Sequence, residues 1–242
     1  MTSSPPLFDE NYFRSHTYEN VSFGKYSQYW WSNRFYAIQA RRYGKPGSRL
    51  LEIGCGLGHL SGQLEPNFDT YAVDINPWAL QQAPQFAPKT RFTLASAEEL
   101  PFAPNSFGMI IIKHVVEHLP HPEQAIRELG RILSPDGVLI LSAPNLDSLL
   151  KPLKGEQWIG YQDPTHISLK PPDEWIRLLQ EEARLTILRA FSDGFWDVPY
   201  LPILPAGLQK IIFGSLGGVQ AITGRVFLPL RWGESMILLA KK

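Results

Sequence analysis

Three glycines within five residues follow directly on an apolar run in the stretch Arg49-Leu-Leu-Glu-Ile-Gly-Cys-Gly-Leu-Gly-His-Leu60. Few folds accommodate that order. Leu50, Leu51 and Ile53 read as a short buried strand. Gly54, Gly56 and Gly58 then break the pattern, and glycine is the residue that tolerates positive φ and the close approach of another backbone or a ligand. Apolar periodicity returns at Leu57, Leu60 and Leu64 with helical spacing. The reading is strand, tight glycine loop, helix N-terminus, with Cys55 as a small side chain inside the loop. In a βαβ unit such a loop binds a nucleotide-like ligand at the carboxyl end of the strand.

The spacing narrows the ligand. The dinucleotide fingerprint is G-x-G-x-x-G, but His59 stands three residues beyond Gly56, so this loop is G-x-G-x-G, with Glu52 two residues ahead of it. Thr70-Tyr-Ala-Val-Asp74 reads as a second strand, ending in a carboxylate 74 − 54 = 20 residues after the first glycine. An acid there can accept hydrogen bonds from two ribose hydroxyls, and its other plausible role is to cap the helix that Asn76-Pro77 opens. An acidic residue before G-x-G-x-G resembles motif I of the class I S-adenosylmethionine-dependent methyltransferases. The spacing disfavours a nicotinamide-dependent oxidoreductase, and a binding module without turnover is the other competing class.

Further along, Arg91 to Ala95 reads as a third strand, and Met109-Ile-Ile-Ile112 as a continuous apolar run suited to a central parallel strand. Pro122 opens a helix whose buried stripe is Ala125, Ile126, Leu129, Ile132 and Leu133, and Val138 to Leu141 gives the fifth strand. Ser96-Ala-Glu-Glu-Leu-Pro-Phe102 is similar to an Asp-Ala-Glu-x-Leu-Pro-Phe run of the family that contacts adenine, with Ser96 in place of the acid. The run from Phe107 to Asn145, including Glu117-His-Leu119 and Ala143-Pro-Asn145, is similar to a further signature of the same family. The resemblance covers about residues 47–182 and lies closest to the small-molecule group that includes the ubiquinone-biosynthesis O-methyltransferases.

This resemblance implies a three-layer Rossmann-like α/β sandwich with a seven-stranded, mostly parallel sheet in the order 3-2-1-4-5-7-6. It implies S-adenosylmethionine as donor. The donor would be held by Glu52, Gly54, Cys55, Gly56 and Gly58, by Asp74 and Ile75, by Ser96, Ala97 and Glu98, by Lys113 and His114, and by Arg34 of an N-terminal helix. Methyl transfer to a small molecule, at oxygen, needs a base. His166 in Asp163-Pro-Thr-His166 is the first candidate, with Asp163 holding its other ring nitrogen, and His118 is the second. His114, Glu117 and His118 share one face if their segment is helical, but relatives with a divalent ion carry Glu-x-x-Glu-His here; with His114 in place of the first Glu, the reading includes no metal.

The remainder is organised as one domain over 1–242: an N-terminal helical lid (1–46), a cofactor-binding core (47–145) and a substrate-side half (146–242) with a cap insert at 191–231. In that insert Leu208, Ile211, Ile212, Leu216, Val219 and Ile222 recur at helical spacing. The expectation is a cap over 208–230 burying the stripe against the sheet, with peripheral membrane contact as the alternative. Lys+Arg 23 balances Asp+Glu 23, so no basic excess points to nucleic acid. The single cysteine fits a reducing compartment, and no leader or apolar run of spanning length is evident, so a cytoplasmic monomer or homodimer is expected. Isothermal titration tests the ligand assignment: S-adenosylmethionine and its demethylated product are expected to bind and NAD not to, and heat from NAD alone would overturn it.

Overall fold

The computed structural model describes residues 22–242; the part of the expected lid before residue 22 lies outside it. Seven strands form one sheet: β1 (Arg49–Ile53), β2 (Asp69–Asp74), β3 (Arg91–Leu94), β4 (Phe107–Lys113), β5 (Leu133–Pro144), β6 (Thr186–Ser192) and β7 (Ser235–Lys241). Their spatial order is β3-β2-β1-β4-β5-β7-β6, as the resemblance implied. The first five pair in parallel, and β7 runs antiparallel between β5 and β6.

Strand alternation sorts the apolar residues onto two faces. Leu51, Ile53, Ile110, Ile112, Leu139 and Leu141 enter one core. That core is closed by helices α4 (Pro122–Ile132) and α7 (Pro172–Glu181) through Ile126, Leu129, Trp175 and Leu179. Leu50, Met109, Ile111 and Ile140 enter the other, against α1 (Gln28–Tyr43) and α2 (His59–Leu64). Because both faces are covered, Ile110, Ile111 and Ile112 have no exposed surface, which is why the β4 segment reads as an unbroken apolar run. Helix α1 is fixed by local chemistry at both ends: the Ser27 side chain accepts from the Trp30 amide, and the chain turns out at Gly44.

Several expectations change. The β5 strand runs over Leu133–Pro144, well beyond the four-residue apolar run, because its pairing with β4 begins at Phe107–Leu133 and with β7 continues to Pro144. His114, Glu117 and His118 do not share an α-helix; His114 has φ +52° and only Val116–His118 forms a 3-10 turn. The cap is a helix over Ala206–Thr223, here α8, after α3 (Pro77–Gln82), α4 and the short turns α5 (Lys151–Lys154) and α6 (Ile159–Gln162). It ends at Gly224, which adopts φ +65°, and its six-residue stripe faces outward instead of being buried.

Truncating Ile110 to alanine leaves a void between two covered faces. It should cost about 2–5 kcal/mol, read as a lowered urea midpoint at unchanged m value.

Candidate functional site

The strand order reverses at β1, which has β2 on one side and β4 on the other. Loops leaving the carboxyl ends of these strands diverge there and leave a crevice. A cavity of about 1140 Å³ occupies it. Tyr29, Ser32 and Asn33 of α1 line its wall, and Trp196 and Ile159 come from the chain after β5.

The glycine loop is built by contact. A methyl group at Gly54 would lie 2.2 Å from Cγ2 of Val115, and the residue has φ +72°, so only glycine fits. The Gly54 and Cys55 amides both donate to the Val73 carbonyl, at 2.8 and 3.1 Å. The Gly58 amide closes the turn on the Cys55 carbonyl, at 2.9 Å. Asp74 ties the loop to the next strand: its Oδ2 accepts from the Gly56 amide at 2.7 Å and its Oδ1 from the Asn76 amide at 2.8 Å. Burial pushes its carboxyl above the ordinary range, opposed by these backbone bonds. Asp74 is not the cap of α3. Asn76 is, its side chain accepting from the Trp78 and Ala79 amides.

Most of the residues expected to hold a donor border this cavity. Glu52, Gly54, Cys55 and Gly56 do so from the first loop, Asp74 and Ile75 from the second. Ser96, Ala97 and Glu98 follow from the third, and Lys113 and His114 from the fourth. Two do not line it. Gly58 sits at the head of α2, in contact with Ala83, and shapes the turn from behind. Arg34 lies with its guanidinium 5.7 Å from the Trp30 ring centroid, away from the cavity. At about 100° per residue, Tyr29, Ser32 and Asn33 share one inward arc of α1, and Arg34 falls on the far side of Asn33 from it.

Asn33 and Lys113, not Arg34, bring polar side chains to this wall of the cavity. The Lys113 ammonium donates to Asn33 Oδ1 at 2.7 Å and Ser32 Oγ at 3.1 Å, and lies near the rings of Tyr29 and Tyr36. Burial pushes its pKa down to about 8. Asn33 Nδ2 is buried with no partner, so the pair presents unspent donors beside the cavity. Glu52 lies behind the loop and accepts from the Ser61 hydroxyl; burial raises its carboxyl to about 7. The Ser96 hydroxyl accepts from the Glu98 amide, and Glu98 Oε1 accepts from the His121 amide at 2.6 Å, so both are partly committed to holding their own loop.

Across the cavity, His118 and His166 approach to 4.7 Å between ring centroids, and both line the site with Asp163. Asp163 does not hold His166 directly; its Oδ2 stays 3.9 Å from Nε2. Its Oδ1 accepts from the amide and hydroxyl of Thr165, at 2.9 and 2.5 Å. Those bonds hold Asp163 below the usual carboxylate range against the opposing effect of burial. Thr165 Oγ in turn meets His118 Nδ1 at 2.8 Å. Since its proton is given to Asp163, it accepts from His118, and an Asp163–Thr165–His118 relay results. His166 Nδ1 meets the Gly160 carbonyl at 2.6 Å, and a carbonyl only accepts, so Nδ1 carries the proton and Nε2 the lone pair. Burial lowers the His118 pKa, keeping the ring neutral. His114 is tied on both nitrogens, to Glu117 at 3.1 Å and Ser235 at 3.2 Å. Glu117, His118 and His166 each bring one ligand-type atom within 4.8 Å of the others.

Sequence reasoning missed Thr165, Trp196 and Glu234. The first stood unremarked inside the quoted Asp163–His166 run. The other two reach the cavity from β6 and β7 loops that no spacing rule connects to it.

A family model for a methyltransferase domain matches residues 30–188, more than half the chain. The chain is similar to the uncharacterized methyltransferase YcgJ of Bacillus subtilis strain 168, with 30% identity over 139 residues, 52% of this chain and 53% of that protein. It is also similar to the 2-methyl-6-phytyl-1,4-hydroquinone methyltransferase of Synechocystis, with 24% identity over 215 residues, 79% of this chain and 66% of the relative. The matched region thus spans about half to two thirds of these curated relatives. Among solved structures, a protein of Pyrococcus horikoshii OT3 aligns with TM-score 0.64 and 17% identity, covering 96% of this chain and 98% of the other, which speaks for the fold alone.

Replacing Asp74 by alanine removes the acceptor for two loop amides. At about 1.5–3 kcal/mol per charged hydrogen bond, the folded protein should lose stability in urea, and calorimetric affinity for S-adenosylmethionine should fall at least about tenfold. Unchanged affinity in the folded variant would leave Asp74 with a purely architectural role.

Proposed function

We propose that this chain, which belongs to the methyltransferase-domain family and takes S-adenosylmethionine as its methyl donor, places the methyl group on a hydroxyl of a small, largely apolar acceptor. The donor supplies a methyl group already activated by positively charged sulfur. What the protein must add is alignment of the nucleophile with that carbon, worth roughly 7–11 kcal/mol at best, and removal of the hydroxyl proton.

The residues of the crevice suit both tasks. Asp74, beyond the glycine loop, offers carboxylate oxygens to ribose hydroxyls. Lys113 and the unspent amide of Asn33 offer donors to the ligand's carboxylate, a pairing of charge with charge-assisted hydrogen bonds. Glu52, with its carboxyl raised to about 7 by burial, gains from a nearby cation, which favours its ionised form. In this reading α1 and residues 47–145 hold the donor, and 146–242 together with His118 receive the acceptor. Ile159, Ile167 and Trp196 give the acceptor side apolar walls. The name of the Synechocystis relative supports an acceptor with an aromatic hydroxyl and an apolar tail.

The observation that carries the proposal is the histidine pair in the same cavity as the glycine loop. His166, whose Nε2 holds the lone pair, takes the acceptor proton. His118, oriented through Thr165 and kept neutral by burial, positions the hydroxyl and avoids placing a second positive charge beside it. Screening metabolite extracts with the protein and donor for a mass gain of one methyl group identifies the acceptor; no gain with any extract in a donor-binding protein favours a non-catalytic module.

His166→Ala should lower kcat by about 10²–10⁴-fold with donor affinity unchanged, and activity should partly return at high pH where the acceptor ionises unaided. Because burial lowers the His118 pKa, the loss of wild-type kcat/KM that comes from charging His118 should lie on the acid side of its ordinary 6.5, and His118→Gln should remove that part of the pH profile. Full turnover in folded His166→Ala would remove it from the mechanism.

A further inference from the structure

Helix α8 is built inside out. Its buried side holds Gln209 and Gln220, while Leu208, Ile211, Ile212, Leu216, Val219 and Ile222 face solvent. Successive helix positions turn by about 100°, so these six fall on one arc of about 140°. Ile211 is 70% exposed and Ile222 59%. The inward glutamines are satisfied and locked. Gln209 accepts from the Tyr200 and Leu201 amides and donates to the Leu201 and Leu204 carbonyls. Gln220 donates to the Ser192 carbonyl and accepts from the Phe227 and Leu228 amides. The outward stripe is therefore not a helix rolled by chance; seven hydrogen bonds of two buried side-chain amides would have to break to turn it inward.

The charges of the same stretch are one-sided. From Val198 to Gly233 there is no acidic residue, while Lys210, Arg225 and Arg231 are basic and exposed. The acids that border the stretch are spent: Asp197 is paired with Lys154 at 3.1 Å, and Glu234 is buried and accepts from Tyr200 and Trp158. Ile203, Phe227 and Trp232 add exposed apolar and aromatic surface on either side of the helix in the chain. No helix among the described residues is long and apolar enough to cross a membrane.

We propose that α8 and its flanks dock on an anionic lipid surface, lying in its plane with the aliphatic arc among the acyl chains and Arg225 and Arg231, just beyond the helix, at the headgroups. An apolar face with cationic, acid-free flanks matches a negatively charged interface. A two-fold pairing of two copies through this face would bring like charges together. The inference rests on the apolar acceptor proposed above for its purpose, because the helix joins the lipid to the cavity. Its buried Gly217 lies directly against Trp196, which lines the cavity wall.

The test needs no acceptor and so stands or falls apart from the methyl-transfer reading. The full chain is sedimented with vesicles of phosphatidylcholine alone or with phosphatidylglycerol. Binding is expected only to the anionic vesicles and should weaken with salt. Ile212→Asp with Leu216→Asp, and separately Arg225→Gln with Arg231→Gln, should each lower the partition coefficient at least about tenfold. These positions are exposed, and unchanged circular dichroism and S-adenosylmethionine affinity confirm the fold. No binding to anionic vesicles by the wild type, equal binding by the folded variants, or a dimer in sedimentation velocity that the Asp variant disperses while vesicle binding persists would each overturn the proposal.

Discussion

The hydrogen-bonded pairing of β1 between β2 and β4 is the constraint from which the cavity follows. Chain leaving β1 and β2 goes to one side of the reversal and chain leaving β4 and β5 to the other, so their loops must part. Into the gap the molecule puts backbone first. The glycine loop lies so near Val115 that a side chain at Gly54 would collide with it. The Asp74 carboxylate then fastens that loop to the entry of α3 by accepting one amide from each. A ligand hydroxyl reaching Asp74 therefore meets an acceptor whose position two backbone bonds have already settled.

Buried ionisable groups divide the cavity. Near the glycine loop, Glu52 and Lys113 sit where burial drives the acid up and the amine down, toward one another in pKa. Such groups respond strongly to the charge of whatever binds, because neither is comfortably ionised alone. On the far side the relay from Asp163 through Thr165 sets the orientation of His118, while the Gly160 carbonyl sets that of His166. Both rings are thus held with Nδ1 engaged by the short segment 160–165, so the insert after β5 acts as the scaffold of this wall of the cavity.

Helix α8 shows what hydrophobic periodicity leaves open. The spacing of Leu208, Ile211, Ile212, Leu216, Val219 and Ile222 identifies a helix and a stripe, yet periodicity says only that the stripe is on one side, not which side the protein covers. Here the deciding groups are polar. Gln209 and Gln220 find backbone partners in the loops on either side and fix the helix with its amides inward.

The amino-acid sequence determined the elements whose causes are local. Apolar runs defined β1 and β4, glycines marked the turn, Pro122 opened α4, and the 20-residue interval to Asp74 placed a carboxylate at the next strand end. Tertiary structure decided everything that depends on which side of a helix or loop meets another segment. It turned Asn33 inward and left Arg34 on Trp30, gave Asp163 to Thr165, and brought Trp196 and Glu234 to the cavity from the far end of the chain. The reason is that spacing fixes the angle between neighbours along one element, whereas contacts between elements distant in sequence are chosen by packing and by the need of each buried polar group to find a partner.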